Sequence, residues 1–266
     1  MISRLWRTAL LVLTLATLVA GCSARNIQIH NSDKIYSKFR NEYGMCNATG
    51  VKFTASLYYT DKGQGHRTIM SLWGDLESPL RLDVRAGIGT YLAHIREDEN
   101  GLTAFYPEDK TAYTHSSPER AVRLLGLPFP FALKDLAGLI AGCYPSFIPS
   151  SFDAVAVDKN NKGLLYTFDH GPVSSITLTQ QGIPLEITGR GELSWEMKMD
   201  SYELDNSGKN LPEKITVYTA TGAKAVLRIK SRFFTSRKWD EKSLEMAIPD
   251  GTEIIKLDRN ENSNIS

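Results

Sequence analysis

LLGLPFPFALKDLAGLIAG, residues 124–142, carries only two charged side chains, Lys134 and Asp135. Its glycines and prolines interrupt any helix long enough to cross a membrane, which needs about 20 apolar residues. Its apolar residues nevertheless lie on more than one face of a helix, which is unusual where one face meets water. We therefore interpret the stretch as helical pieces that cover an apolar surface formed by the rest of the chain.

Helix-capping residues divide this part of the chain into two helices. Ser117 is a suitable N-cap, Pro118 suits the first helical position, and Gly126 suits the position just after the helix. After the link LPFPF a second helix is expected, and Gly142 ends it. Its apolar stripe consists of Leu133, Leu136, Ala137 and Ile140, widened by Ala132 and Leu139.

The segments on either side of these helices alternate between apolar and polar residues, which is typical of strands. Six such segments precede the helices: VKFTASLYYT, HRTIMSLWGDL, LRLDVRAG, TYLAHIRED, GLTAFYPE and KTAYTHS. Six more follow: GLLYTFDH, SSITLTQQG, PLEITGRG, LSWEMKMDSYEL, KITVYTA and KAVLRIKSRFFT. Turn residues separate them, so the order predicts antiparallel strands rather than βαβ units.

A short amphipathic helix is expected before the first strand. Asn31 or Ser32 offers an N-cap, and apolar residues recur at helical spacing at Ile35, Tyr36, Phe39 and Tyr43. We expect this helix to pack on the sheet.

The first residues resemble a bacterial lipoprotein signal peptide. Arg4 and Arg7 precede an apolar run over residues 9–20, and Cys22 follows in LVAGC. The run is shorter than the roughly 20 residues of a spanning helix, and the small residues before the cysteine suit cleavage. The alternative is an uncleaved anchor with an incidental cysteine.

This resemblance divides the chain into a signal peptide over 1–21, a tether over 22–30 and one domain over 31–266. It also implies acyl chains on Cys22, which hold a protein on a membrane through about 0.8 kcal/mol per buried CH₂. Ser23, where an aspartate signals retention at the inner membrane, implies an outer-membrane location facing the periplasm.

Charge and motifs exclude several functional classes. The chain has 31 basic and 30 acidic residues, and loss of Arg4 and Arg7 leaves 29 and 30, so no basic excess favours a nucleic-acid partner. No catalytic, metal or cofactor motif is present, and the five histidines, His30, His66, His94, His115 and His170, are scattered and expected at the surface or at strand edges. The acidic groups at 97–99 and 108–109 are interpreted as solvated turn residues rather than as the paired carboxylates of a hydrolase.

Two cysteines remain besides Cys22. Cys46 and Cys143 either form a disulfide, as proteins outside the cytoplasm often do, or stay as buried free thiols. Their spacing does not support a metal site.

Residues 80–142, LRLDVRAGIGTYLAHIREDENGLTAFYPEDKTAYTHSSPERAVRLLGLPFPFALKDLAGLIAG, resemble the middle of the LolB family of outer-membrane lipoprotein receptors and, more broadly, the LolA/LolB-like fold. The resemblance lies in a strand pair with a short glycine-containing loop, a helix ending in LLGLPFP, and a following apolar helix. It implies a mainly β (α+β) protein, an unclosed antiparallel β-barrel of about eleven strands with a helical lid.

The resemblance also implies an apolar cavity for acyl chains. The expected cavity and lid residues are Trp73, Phe105, Leu124, Leu127, Phe129, Phe131, Leu133, Leu136, Leu139 and Ile140. In the loop RAGIG, Ile88 takes the position of a membrane-facing leucine of the family; the alternative is a residue folded back onto the sheet.

Three functions are considered for a chain with these expected features. The first is a non-enzymatic lipoprotein receptor that takes acylated proteins from a LolA-like periplasmic carrier and inserts them into the outer membrane. The second is a lipid-binding or envelope-sensing lipoprotein of the same fold without a sorting role. The third is an envelope hydrolase, which requires clustered polar residues in the cavity.

Overall fold

Fourteen strands form one sheet in a computed structural model that describes residues 29–44, 46–87, 89–127, 129–144, 147–191, 194–206 and 208–258. Their order across the sheet is β14-β6-β5-β4-β3-β2-β1-β13-β12-β11-β10-β9-β8-β7. The strands are β1 (Gly50–Asp61), β2 (Gln64–Asp75), β3 (Leu80–Ala86), β4 (Tyr91–Asp98), β5 (Gly101–Tyr106), β6 (Thr111–His115), β7 (Ala154–Val157), β8 (Leu164–Thr167), β9 (Val173–Leu178), β10 (Pro184–Gly189), β11 (Trp195–Leu204), β12 (Asn210–Thr219), β13 (Lys224–Thr235) and β14 (Glu253–Lys256).

The sheet confirms the predicted fold class, with a correction to the number of strands. It is unclosed, and neighbouring strands are antiparallel except β14, which pairs in parallel with β6. Among the described residues there are fourteen strands rather than about eleven. Alternation of apolar and polar residues does not predict β7 and β14, the two short strands that form the edges of the sheet.

Four α-helices accompany the sheet in the described part of the chain. They are α1 (Ser32–Tyr43), which follows a single 3₁₀ turn at Ile29–Asn31, α2 (Pro118–Leu124), α3 (Leu133–Ala141) and α4 (Glu241–Leu244). The predicted caps of α2 are confirmed, because the Ser117 hydroxyl accepts the Arg120 N–H and Pro118 is the first helical residue.

The register separates two faces of the sheet. Residues directly opposite each other on paired strands share a face, and successive residues alternate between faces. On β1, Val51, Phe53, Ala55 and Leu57 point to the face that carries the main apolar core, which we call the inner face. The opposite face, with Lys52 paired to Trp73, is the outer face.

Helices α1 and α3 cover the inner face. The four apolar residues predicted for α1 are all buried, and this helix packs against β9. The Tyr166 hydroxyl donates to the Ser32 carbonyl oxygen at 2.9 Å, and the Tyr43 hydroxyl donates to the Asn210 carbonyl oxygen at 2.9 Å. Helix α1 is therefore fastened at one end to β8 and at the other to β12.

A disulfide joins the segments that follow α1 and α3. Cys46 and Cys143 are bonded, with their Cα atoms 5.5 Å apart. The Tyr144 N–H also donates to the Tyr43 carbonyl oxygen at 3.2 Å. The two helices that cover the inner face are thus tied together near their carboxyl ends.

A crossing segment, residues 236–252, runs over the outer face from β13 to β14. The Trp239 N–H donates to Asp75 Oδ1 at 2.9 Å, and Trp73 Nε1 donates to the Ser243 carbonyl oxygen at 3.1 Å. Leu244 of α4, which belongs to this segment, is buried. Part of the outer face is therefore covered by the chain itself.

Replacing both bridged cysteines, Cys46→Ser with Cys143→Ser, is expected to lower the free energy of unfolding by about 2 to 5 kcal/mol. The loss arises because the bridge restricts a loop of sequence separation 97 in the unfolded chain. Urea unfolding of the oxidised wild type, the reduced wild type and the double variant measures the change. The reduced wild type and the double variant should agree; equal stability of all three would contradict the prediction.

Candidate functional site

The predicted lid is a bent helical pair. Helix α2 ends with the Leu127 N–H donating to the Val122 carbonyl oxygen and the Gly126 N–H donating to that of Arg123, a Schellman motif. Gly126 has φ of 62°, a left-handed conformation that favours glycine. The described residues between α2 and α3 are not helical, so the helix ends where the sequence predicts a break.

The side chains of this segment fill the space above the inner face. Those that are buried in the main core are Phe129, Phe131, Leu133, Leu136, Leu139 and Ile140. Leu127 is half-buried against them. The structure therefore brings together seven of the ten side chains predicted for a cavity or lid.

The segment also connects strands that are far apart in the sheet. Helix α3 packs against β1, β3 and β12, and the ring of Phe131 meets that of Trp195 on β11 edge to face, with centroids 4.8 Å apart. Contacts with both halves of the sheet require the sheet to curl around α3. The helix therefore occupies the interior of the unclosed barrel.

Glu97 holds the amino end of α3. Its Oε2 accepts the Leu133 N–H at 2.6 Å and its Oε1 accepts the Lys134 N–H at 3.2 Å. The N-cap residue Ala132 has no side chain for this purpose, so a carboxylate from β4 binds the free N–H groups instead. A polar contact between sheet and lid is thus buried within an apolar interior.

Burial raises the pKa of Glu97 to about 7, although the two N–H donors oppose this shift, and the charges of Asp135 and Glu119 raise it further. The sequence pattern predicts a solvated turn at this carboxylate, and that prediction is wrong. Successive side chains of a strand point to opposite faces, so Glu97 points to the inner face like Ala93 and Ile95 on the same strand β4. A charged residue at an inward position of a strand was the signal that could have revealed it.

A groove lies at the other end of α3. Its volume is about 680 Å³, within the range of roughly 300 to 1,000 Å³ typical of ligand pockets. Its walls include both bridged cysteines, exposed apolar side chains of Leu204 and Phe233, and the cations Lys209 and Arg232. A larger depression of about 920 Å³ runs along α1, but polar residues such as Lys34, Lys38 and Gln180 line much of it, which suits apolar ligands less well.

Three predicted cavity residues lie elsewhere. Trp73 on β2 and Phe105 on β5 lie at positions whose side chains point to the outer face. Their partners there are Arg81 and His94, respectively. Leu124 is 49% exposed at the end of α2. These three positions are corrections to the predicted site.

Two further predictions, Cys22 and Ile88, lie outside the described residues. His115 is buried rather than placed at the surface, and its Nδ1 accepts a hydrogen bond from the Ser117 N–H at 2.8 Å.

No helix in the described part of the chain has the length and apolar character needed to span a bilayer. Within the same residues, no group of three or more His, Cys, Asp or Glu side chains is arranged to hold a metal ion.

The variant Glu97→Gln is expected to change how stability depends on pH. The pKa of Glu97 in the folded protein, about 7, is above its ordinary value of 4.5, so the folded state binds the proton more tightly than the unfolded state. This contribution is fully present below pH 4.5 and is lost as the pH rises through 7. It amounts to up to about 3 kcal/mol.

Urea unfolding between pH 4.5 and 8 measures this dependence. The wild type should lose stability with rising pH more steeply than Glu97→Gln, whereas Glu99→Gln, at an exposed neighbouring carboxyl, should follow the wild type. Parallel curves for the wild type and Glu97→Gln would show that the buried carboxyl does not titrate in this range.

Solved structures with a similar fold are available for comparison, although no protein-family model and no curated protein sequence matches the chain. A LolA superfamily protein of Nitrosomonas europaea, NE2245, is 11% identical with a TM-score of 0.56, covering 80% of this chain and 97% of that one. A domain of Vibrio parahaemolyticus, whose name refers to outer membrane lipoprotein sorting, is 11% identical with a TM-score of 0.53, covering 80% and 95%.

A DUF1329 family protein of Desulfovibrio piger is 9% identical with a TM-score of 0.55, covering 80% of this chain and 96% of that one. All three sequence identities are low, so the similarity is one of fold alone. The unclosed sheet, the helices on its inner face and these three likenesses together show that the chain has the LolA/LolB-like fold.

Proposed function

We propose that the protein is a lipid-anchored, non-catalytic envelope protein that binds acyl chains inside its unclosed barrel. In this proposal it receives lipoproteins from a LolA-like carrier and inserts them into the outer membrane. The observation that carries the proposal is the apolar cover at residues 124–142, whose side chains fill the space above the inner face.

The cover is attached in a way that suits displacement. The amino end of α3 is held by Glu97, and its carboxyl end is held by Arg232 Nε, which donates to the Ile140 carbonyl oxygen, and by the disulfide at Cys143. The turn at Gly126 lies before the link to α3. Between these points its contacts are mainly apolar. Apolar contacts lack direction, so another apolar group can replace them without leaving unpaired hydrogen-bonding groups.

The free energy gained by burying the side chains of the cover is similar to the free energy gained by burying one acyl chain in their place. Six buried side chains, at roughly 1.5 to 3 kcal/mol each, amount to about 9 to 18 kcal/mol of burial. One acyl chain of about 16 carbons contributes about 12 kcal/mol at 0.8 kcal/mol per CH₂. An acyl chain that takes the place of the cover can therefore offset most of the cost of exposing it, and no covalent chemistry is needed.

The groove beside Cys143 is a suitable entrance for such a chain. Leu204 and Phe233 offer apolar contacts at its surface, and the Lys209 cation lies nearby for an anionic headgroup or a peptide carbonyl. Arg232, also in the wall, is already paired with Glu213. In this proposal Cys22 carries the acyl chains that keep the protein at the outer membrane, and Ile88 faces that membrane.

The variant Leu136→Asp tests acyl-chain binding. A carboxylate in the middle of α3 is expected to reduce binding of a palmitoylated peptide at least tenfold, because the charge would be buried beside the acyl chain. Leu124→Asp, on the same segment but half exposed, should bind as the wild type does. Fluorescence titration with the palmitoylated and the unacylated peptide gives the affinities, and urea unfolding shows which variants are folded.

A folded Leu136→Asp protein with unchanged affinity would reject a binding site beneath the cover. Native mass spectrometry of the purified protein separates the two lipid-binding functions. Co-purified acylated protein supports the receptor, whereas phospholipid alone supports the lipid-binding or sensing alternative.

Depletion of the protein in cells tests the sorting role. Lipoproteins are expected to accumulate in the periplasm or the inner membrane, because their last acceptor is missing. Fractionation of the envelope followed by detection of acylated proteins measures their distribution. A normal distribution after depletion would rule out the receptor function while leaving acyl-chain binding possible.

A further inference from the structure

The outer face has a part that the crossing segment does not cover. The crossing segment contacts Trp73, Asp75 and Arg81, near one end of β1, β2 and β3. Towards the other end, outward side chains are open to solvent. We call this part the basic patch; it consists of Tyr58 on β1, Arg67 on β2, Arg85 on β3, Tyr91 on β4, and Lys224 and Arg228 on β13.

The strand register places these residues side by side. Tyr58 lies opposite Arg67, and Ser56 lies opposite Arg228. Ile69, the partner of Ser56 on β2, lies opposite Arg85 on β3. Lys224 lies opposite Thr60 on the same face. Opposite residues in antiparallel strands have Cβ atoms about 5 Å apart, so the four cations lie in one region of the outer face that extends over four neighbouring strands, with uncharged residues between them.

These cations form no direct ion pair within the described residues, although Arg228 interacts with Asp200: desolvation raises the pKa of that carboxyl, but the contacts of Lys214 and Ser201 and the charge of Arg228 together lower it below its ordinary value. No ion pair there includes Arg67, Arg85, Lys224 or Arg228. The carboxylates at the border already have partners, since Asp83 lies 2.8 Å from His94 Nδ1 and 3.2 Å from an Arg81 nitrogen, and Asp200 lies 2.8 Å from Lys214 Nζ. The patch therefore has a local positive charge in a chain whose net charge is only +1.

Exposed tyrosines flank the cations. Tyr58 is 41% exposed and Tyr91 is 42% exposed, and the Arg85 guanidinium lies over the Tyr91 ring at 5.8 Å. Tyrosine rings favour the headgroup level of a bilayer, where an apolar ring and a polar hydroxyl are both satisfied. Arginine matches phosphate oxygens through paired N–H donors.

We propose that the basic patch docks on a bilayer surface that contains anionic phospholipids. The guanidinium groups bind headgroup phosphates, and the two tyrosine rings enter the interface. The patch lies on the face opposite the cover, so a docked protein leaves residues 124–142 free to move. This inference rests on the outer face alone and holds whether or not the interior binds acyl chains.

The test uses the full chain with Cys22→Ser, so that no acyl anchor contributes to binding. It is sedimented with vesicles of phosphatidylcholine alone and with vesicles that also contain phosphatidylglycerol. Binding is expected only to the anionic vesicles and should weaken as salt is added, because salt screens exposed charges. Removing three cations together, by Arg67→Gln, Arg85→Gln and Arg228→Gln, should lower the affinity about 100-fold, at about fivefold per charge.

A matched control removes three exposed cations from elsewhere, by Lys34→Gln, Lys38→Gln and Lys159→Gln, and should retain most of the affinity. Equal binding to neutral and anionic vesicles, or equal losses in the two triple variants, would overturn the proposal. The patch variant should still bind the palmitoylated peptide, so failure of docking and failure of acyl-chain binding remain distinguishable.

Discussion

The apolar inner face of the fourteen-stranded sheet has to be kept from water, and this requirement determines where much of the remaining chain lies. An unclosed sheet does not cover its own face, so helices must do so. Helix α1 covers the side of β8 and β9, and α3 reaches from β3 to β12. The bridge between Cys46 and Cys143 makes these two covers mechanically dependent, because neither carboxyl end can move far without the other.

Much of this arrangement could be predicted from the sequence because it depends on local patterns. Alternation identified twelve strands, and the caps at Ser117, Gly126 and Gly142 bounded the two central helices where the structure places them. The two edge strands were missed for different reasons. Strand β7 is a run of four small or β-branched apolar residues with almost no alternation of burial, and β14 exists through a parallel pairing with β6 that no neighbouring residue indicates.

The site was less predictable because faces and partners depend on distant parts of the chain. Phe105 is buried, as an aromatic residue on a strand usually is, but β5 is covered on both faces, so burial does not reveal which face it occupies. Glu97 occupies an inward position that only becomes tolerable because the amino end of α3 arrives there. The alternation on β4 indicates that Glu97 points inwards, but the N–H groups that it binds come from a helix 36 residues away.

The pairing of β1 with β13 has a consequence for the order of events during synthesis and folding. The strand that completes the middle of the sheet is Lys224–Thr235, more than a hundred residues after its partner Gly50–Asp61. The first six strands can form a meander as they emerge, but one border of that meander stays open until the last part of the chain arrives. Such a chain cannot complete its sheet before its carboxyl-terminal part has been synthesised, so the middle of the sheet is among the last parts of the fold to form.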